Sequence, residues 1–169
     1  YQIDADANGN FDIAAFFAGE YDVFAGLWGY KTTGLDSETI DESSSSLTIE
    51  IAKGYEDIFS LDLGWSTGFD ANSGMWERGV PIGVIAGGGV FITPSEDVAQ
   101  DIGNHCYVTG NVSDLFGGVL IGGDATLTSP EFDIADYNEP YLSYHFWYLS
   151  VDPNNGNTTD TDFYVKIDK

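Results

Sequence analysis

The chain has 169 residues, 28 acidic against 5 basic, giving a formal net charge of -23 and a sequence pI near 4.1. Binding to nucleic acid or an anionic membrane needs Lys/Arg clusters, and the sequence has none; no apolar run approaches the roughly 20 residues of a membrane-spanning helix. Intrinsic disorder is excluded as well, because 43% hydrophobic and 15% aromatic residues supply ample core material.

The length allows one or two domains. A single cysteine, Cys106, rules out an internal disulfide framework. Small extracellular folds without disulfides often use bound metal instead, and carboxylates are the ligands calcium prefers. The chain starts at Tyr1 without Met or a signal-peptide pattern, so a mature product or an excised piece is expected.

Taken in chain order, the local pattern is almost entirely β, with 21 glycines, dense aromatics and turn clusters at short intervals. Ile3, the Asn8-Gly9 centre, Phe11 and Ile13 predict a hairpin. Tyr21, Val23, Ala25 and Leu27 alternate along a second strand. Residues 33–46 carry Asp36, Glu38, Asp41, Glu42 and a serine run, and are expected to form an exposed loop. Residues 47–52 read as a clean period-two strand. Beyond Lys53-Gly54 the aromatics rise and the glycines cluster, which places a domain boundary near residue 53. Residues 83–89 and 117–123 look like glycine-rich loops, whereas 125–129, 141–151 and 163–167 look like strands. Residues 152–160 form a polar loop. Only 95–101, with a Ser N-cap, suggests helix, and at most one short turn of it.

Two series of motifs carry a resemblance. Residues 6–13 with Asn8-Gly9, residues 18–23, and Trp28-Gly29-Tyr30 resemble the later half of carboxypeptidase regulatory-like domains, which are small transthyretin-like β-sandwiches on secreted enzymes. That family's first strands would precede Tyr1, so residues outside this chain are expected to supply them, or the domain is only partly ordered. From Tyr55 on, Gly64-Trp65-Ser66, residues 76–81, 106–109, 126–133 and 141–144 resemble, in that order, MAM-like and carbohydrate-binding-module-like jelly-roll domains of secreted bacterial peptidases. The resemblance implies an all-β chain: a partial sandwich over 1–53, then a jelly roll over 54–169. The roles it implies are accessory: attachment, partner or glycan contact, and stabilisation.

Catalytic apparatus is hard to find. The two histidines, His105 and His145, lack metal-ligand spacing. Cys106 beside His105 leads into a β-like stretch and reads as a structural thiol. Carboxylate pairs are too abundant to point to glycoside hydrolysis.

Calcium is the best chemical candidate. Asp4, Asp6, Asn8, Asn10 and Asp12 copy the oxygen spacing of an EF-hand loop, with Gly9 at the bend. Ala15 replaces the closing Glu and no helices flank the loop, so a metal-free polar hairpin is the simpler reading. In the second domain the resemblance implies a calcium stapling the jelly roll, with Glu56 and Asp57 at its first strand, Asp162 at its last, and Asp133 as an addition. Solvated loop acids account for the same residues.

Trp65, Trp76, Tyr144, Trp147 and Tyr148 offer rings for sugar stacking. In a strand, Leu142, Tyr144, Phe146 and Tyr148 share one face, and Tyr141, Ser143, His145 and Trp147 the other. The second face is more polar, which makes Tyr141, His145 and Trp147 the candidate ligand contacts; packing of every tryptophan in the core is the competing reading. Asn111-Val112-Ser113 and Asn157-Thr158-Thr159 are glycosylation sequons.

The expected function is a non-catalytic, calcium-stabilised accessory region of a larger extracellular or cell-surface enzyme. Its partners would be the parent polypeptide and a glycan or surface protein, without nucleic acid or membrane insertion. A carbohydrate-binding module proper and a structural subunit of an adhesin or filament are the alternatives.

Overall fold

The computed structural model describes residues 2–13, 17–44, 46–100, 102–114, 122–150, 157 and 162–168. The chain is all-β: the described residues hold eight strands and no helix. The strands are β1 Gly19–Ala25, β2 Thr33–Ile40, β3 Ser66–Phe69, β4 Trp76–Gly79, β5 Val84–Ala86, β6 Val90–Thr93, β7 Cys106–Thr109 and β8 Ala125–Thr128. They pair antiparallel as β1-β2, β3-β8, β4-β7 and β5-β6.

β1 follows the alternation of Tyr21 and Val23, and β2 takes the place of the expected loop over 33–46. The backbone of 33–40 satisfies its polar groups by pairing with β1, and that pairing overrides an acidic composition. A bulge absorbs the mismatch. One residue, Asp22, lies between Tyr21 and Val23, whereas two, Asp36 and Ser37, lie between their partners Leu35 and Glu38, so the extra residue sits on β2. Ser37 sits at φ 55° and its amide donates to Asp22 Oδ1 at 3.1 Å. Only 41–44 is a turn, closed on Asp41 by the Ser43 amide at 2.7 Å.

Residues 47–52 alternate half-buried and exposed as their period-two pattern predicts, but they join no ladder. Isolated contacts hold their end to the turn before β2: the Lys31 amide donates to Ala52 O at 2.8 Å, and Tyr30 bridges the next residue, Lys53. The expected glycine loop at 83–89 is instead the β5-β6 hairpin. Gly87, Gly88 and Gly89 form its turn, with φ of 84° and 81° at the last two, a conformation that glycine adopts without strain. Residues 95–100 hold bends and a turn. Of the expected glycine loop at 117–123 and the polar loop at 152–160, all but Gly122, Gly123 and Asn157 lie outside the described residues, as do Val151 of 141–151 and Ala15.

The described residues of 141–151 and 163–167, expected as strands, belong to no strand. They meet through rings: Phe146 stacks on Phe163 with centroids 5.0 Å apart and planes 7° from parallel, and Tyr148 lies 5.7 Å from the same ring.

Among the described residues the buried apolar core is thin, with Ile58 and Val84 at 6% exposure. Half-buried aromatics do most of the packing. Trp28 contacts Tyr55, Trp65 and Phe132 at centroid distances of 5.3, 6.1 and 4.9 Å. Phe59 and Tyr107 extend the cluster, 5.4 Å from Trp65 and 5.2 Å from Phe59 respectively. Each of the four indole N–H groups donates across the chain, Trp28 to Glu131 O, Trp65 to Asp57 Oδ2, Trp76 to Ala125 O and Trp147 to Ile92 O, at 2.7, 2.8, 3.2 and 3.2 Å. A large ring that also satisfies its polar edge is held in one orientation.

Candidate functional site

The predicted calcium ligands fall in separate places. Asp6 closes a tight turn: the Asp6 amide donates to Asn10 O and the Gly9 amide to Asp6 O, at 2.8 and 2.9 Å. Its carboxylate accepts from the Asn8 and Asn10 amides, both at 2.8 Å, and from Asn10 Nδ2. Hydrogen bonds from Asn10 and Asn8 hold this exposed carboxyl below its usual range. Gly9, at φ 81°, makes the bend. The loop therefore has the geometry of an Asx hairpin whose acid is already satisfied by amides. Asp4, Asn8, Asn10 and Asp12 are exposed around it, and no strand ladder continues on either side.

In the second set, Glu56 pairs with Lys31 at 3.6 Å, both well exposed. Asp57 is half-buried and accepts from the Phe59 amide and the Trp65 indole, each at 2.8 Å. Burial raises its carboxyl above the ordinary value, against those two hydrogen bonds and the nearby Arg78 charge, which lower it. Asp133 Oδ1 accepts from the Ala135 amide at 3.2 Å, and Asp162 is exposed. Among the described residues no three His, Cys, Asp or Glu side chains form a group able to hold a metal ion. Glu56, Asp57, Asp133 and Asp162 do not form a ready-made cage.

The predicted ligand face of 141–148 is open. Tyr141 is 89% and Trp147 58% exposed, and His145 is exposed beside them. The opposite face, expected to be core, is open too: Leu142, Tyr144, Phe146 and Tyr148 are all exposed. Among the described residues no strand pairs with this segment, and both faces keep exposed side chains.

Other polar residues serve the scaffold. Arg78 Nη1 donates to Phe59 O at 2.8 Å and fastens that loop to β4. Asn111 Nδ2 donates to Val80 O, while Asn111 Oδ1 accepts from the Ile82 amide, both at 2.8 Å. The sequon asparagine is thus a clamp on the segment between β4 and β5. His105 and Cys106 are half-buried. Burial, then Arg78, lowers the imidazole below its ordinary value, and Asp97 acts in the opposite direction.

Sequence reasoning missed one concave feature. Gly29, Tyr30, Lys53, Tyr55, Asp133, Asp136 and Tyr137 line a recess of about 180 Å³. Three stretches far apart in sequence build it, so no motif announces it; Asp133 was expected as a calcium ligand, and Gly29-Tyr30 and Tyr55 only as parts of the two motif series. Comparison with known proteins finds no family model, no curated protein and no solved structure that matches the chain.

Proposed function

We propose that the chain is a non-catalytic, extracellular or cell-surface accessory region of a larger secreted enzyme, a peptidase by the resemblance above. On this reading residues 1–53 are the later part of a transthyretin-like sandwich and residues 54–169 a MAM-like jelly roll. The observation that carries the reading is the open apolar surface of 141–148 and 163–167, where Tyr141, Phe146, Trp147, Tyr164 and Ile167 are each more than half exposed. Contiguous apolar surface of this kind marks contact with another molecule. The parent polypeptide, a surface protein or a glycan would take it. The ionisable groups inside the fold have structural tasks, as Asp57 has toward Trp65 and Arg78 toward Phe59. Calcium enters as a stabiliser suited to hard oxygen donors, and binding would have to draw the dispersed carboxylates together. Turnover of peptides or glycans by the isolated chain would overturn this reading.

The second reading, a carbohydrate-binding module, is favoured by Trp147. Its indole N–H is fixed to Ile92 O, yet the residue stays 58% exposed, so the ring is both rigid and accessible. Tyr141 and His145, in the same segment, are exposed as well. Affinity gel electrophoresis in neutral polysaccharides tests this reading: wild-type retardation should vanish in Trp147→Ala. Equal retardation of both proteins would remove Trp147 from the site.

A further inference from the structure

We infer that the recess between Tyr30, Tyr55 and Tyr137 is a carbohydrate subsite that takes one neutral, hydroxyl-rich sugar unit, separate from the ring of Trp147. The inference rests on the binding reading above and adds a location and a ligand class to it.

The recess is built before any ligand arrives. Its floor is the turn in which the Tyr30 amide donates to Leu27 O at 2.8 Å. That turn is tied to the next wall by the Gly54 amide, which donates to Gly29 O at 3.0 Å, and by the Tyr30 to Lys53 bridge. Gly29 sits at φ 93° and a side chain there would enter open space, so the turn needs glycine for its backbone. The third wall is locked twice. The Asp133 amide donates to Tyr55 Oη at 2.7 Å, and the Tyr137 amide donates to Ile134 O at 3.0 Å. Tyr55 and Tyr137 stand 6.3 Å apart with ring planes inclined by 40°.

Its chemistry selects the ligand. Aromatic walls offer faces on which the C–H groups of a sugar ring can pack. The rim supplies donors and acceptors together: the Lys53 ammonium, and the carboxylates of Asp133 and Asp136. A hydroxyl both gives and accepts hydrogen bonds, so a polyol matches such a mixed rim. Lys53 Nζ lies 3.5 Å from Asp136 Oδ2, with the side chains 74% and 84% exposed. An ion pair this open contributes little to the fold, so its groups can turn to a ligand at small cost. A polyanion is repelled by the chain's charge of -23. A cation would have to compete with the Lys53 ammonium already there.

The experiment is a titration of the full isotope-labelled chain with cello-, xylo-, laminari- and manno-oligosaccharides, followed by amide NMR. At least one should shift the amides of Tyr30, Gly54, Asp133 and Tyr137. Tyr137→Ala should weaken that binding about tenfold, the loss expected for one aromatic anchor, while its amide spectrum stays folded. Tyr137→Phe should retain it, because the ring supplies the contact. Trp147→Ala should leave these shifts intact. Shifts confined to 141–148 would overturn the recess and leave the binding reading standing. No shift with any of the four sugars would also overturn it. Preference of the recess for tetramethylammonium over every sugar would identify a cation cage instead.

Discussion

Trp28 joins the first fifty residues to the rest of the chain, and its replacement by Ala should show how much that joint holds. The side chain is half-buried among Tyr55, Trp65 and Phe132, and its indole N–H donates to Glu131 O at 2.7 Å. Truncating a fully buried Trp costs about 3–5 kcal/mol. Partial exposure brings the packing loss down to roughly half of that, and the lost hydrogen bond adds about 1 kcal/mol. Trp28→Ala should therefore cost about 2–4 kcal/mol, a large share of the roughly 5–15 kcal/mol that a domain possesses. Trp28→Phe keeps a ring in the cluster and loses the N–H, so it should cost about 1 kcal/mol. Urea unfolding followed by tryptophan fluorescence and by far-UV circular dichroism measures both. The wild type should unfold with coincident transitions, and Trp28→Ala should shift the midpoint and separate the two probes. A Trp28→Ala midpoint within error of wild type would refute the idea that the ring cluster is the joint.

Asp57 should titrate above the ordinary carboxylate value of 3.8 because burial disfavours its charged form. Between 3.8 and its raised folded value the native state holds more protons than the unfolded one, so stability falls as pH rises through that window and the penalty stands in full above it. Carboxyl carbon NMR against pH reads the midpoint directly, and a value at or below 3.8 would contradict the burial argument. Asp57→Asn turns an amide donor toward either the Phe59 amide or the Trp65 indole, and should cost about 1–3 kcal/mol by thermal melting. Calcium at about a hundred times its Kd should add about 2.7 kcal/mol and raise Tm by roughly 5–10 °C, reversed by chelator; an unchanged Tm would take calcium out of the account.

Strand β1 was legible because Tyr21 and Val23 alternate with polar neighbours, and β8 for its β-rich composition. Strand β2 was not, since Asp36 and Glu38 give it the composition of a loop. Its order comes from pairing with β1 and from a bulge that one side-chain acceptor, Asp22, stabilises. Residues 47–52 show the reverse: the burial alternation was readable, and the absence of a ladder partner was not. The three consecutive glycines at 87–89 suggested a loop and serve as a hairpin turn. The exposure of Trp147 followed from comparing the polarity of two faces, but the same logic put Leu142 and Phe146 inside, and both are open. The recess was illegible for a simple reason. Tyr30, Lys53 and Tyr137 have no common spacing, and long-range contacts such as the bridge to Lys53 and the Tyr55 to Asp133 hydrogen bond bring them together.

The most direct trial of a surface that holds its ligand without transforming it is binding and turnover read on one sample. Purified chain is incubated with an array of neutral glycans, retained protein is quantified, and the eluted glycans are weighed by mass spectrometry. Retention on at least one glycan, recovered at its starting mass, is the predicted result. Shortened glycans, or retention on none of them, would contradict the account.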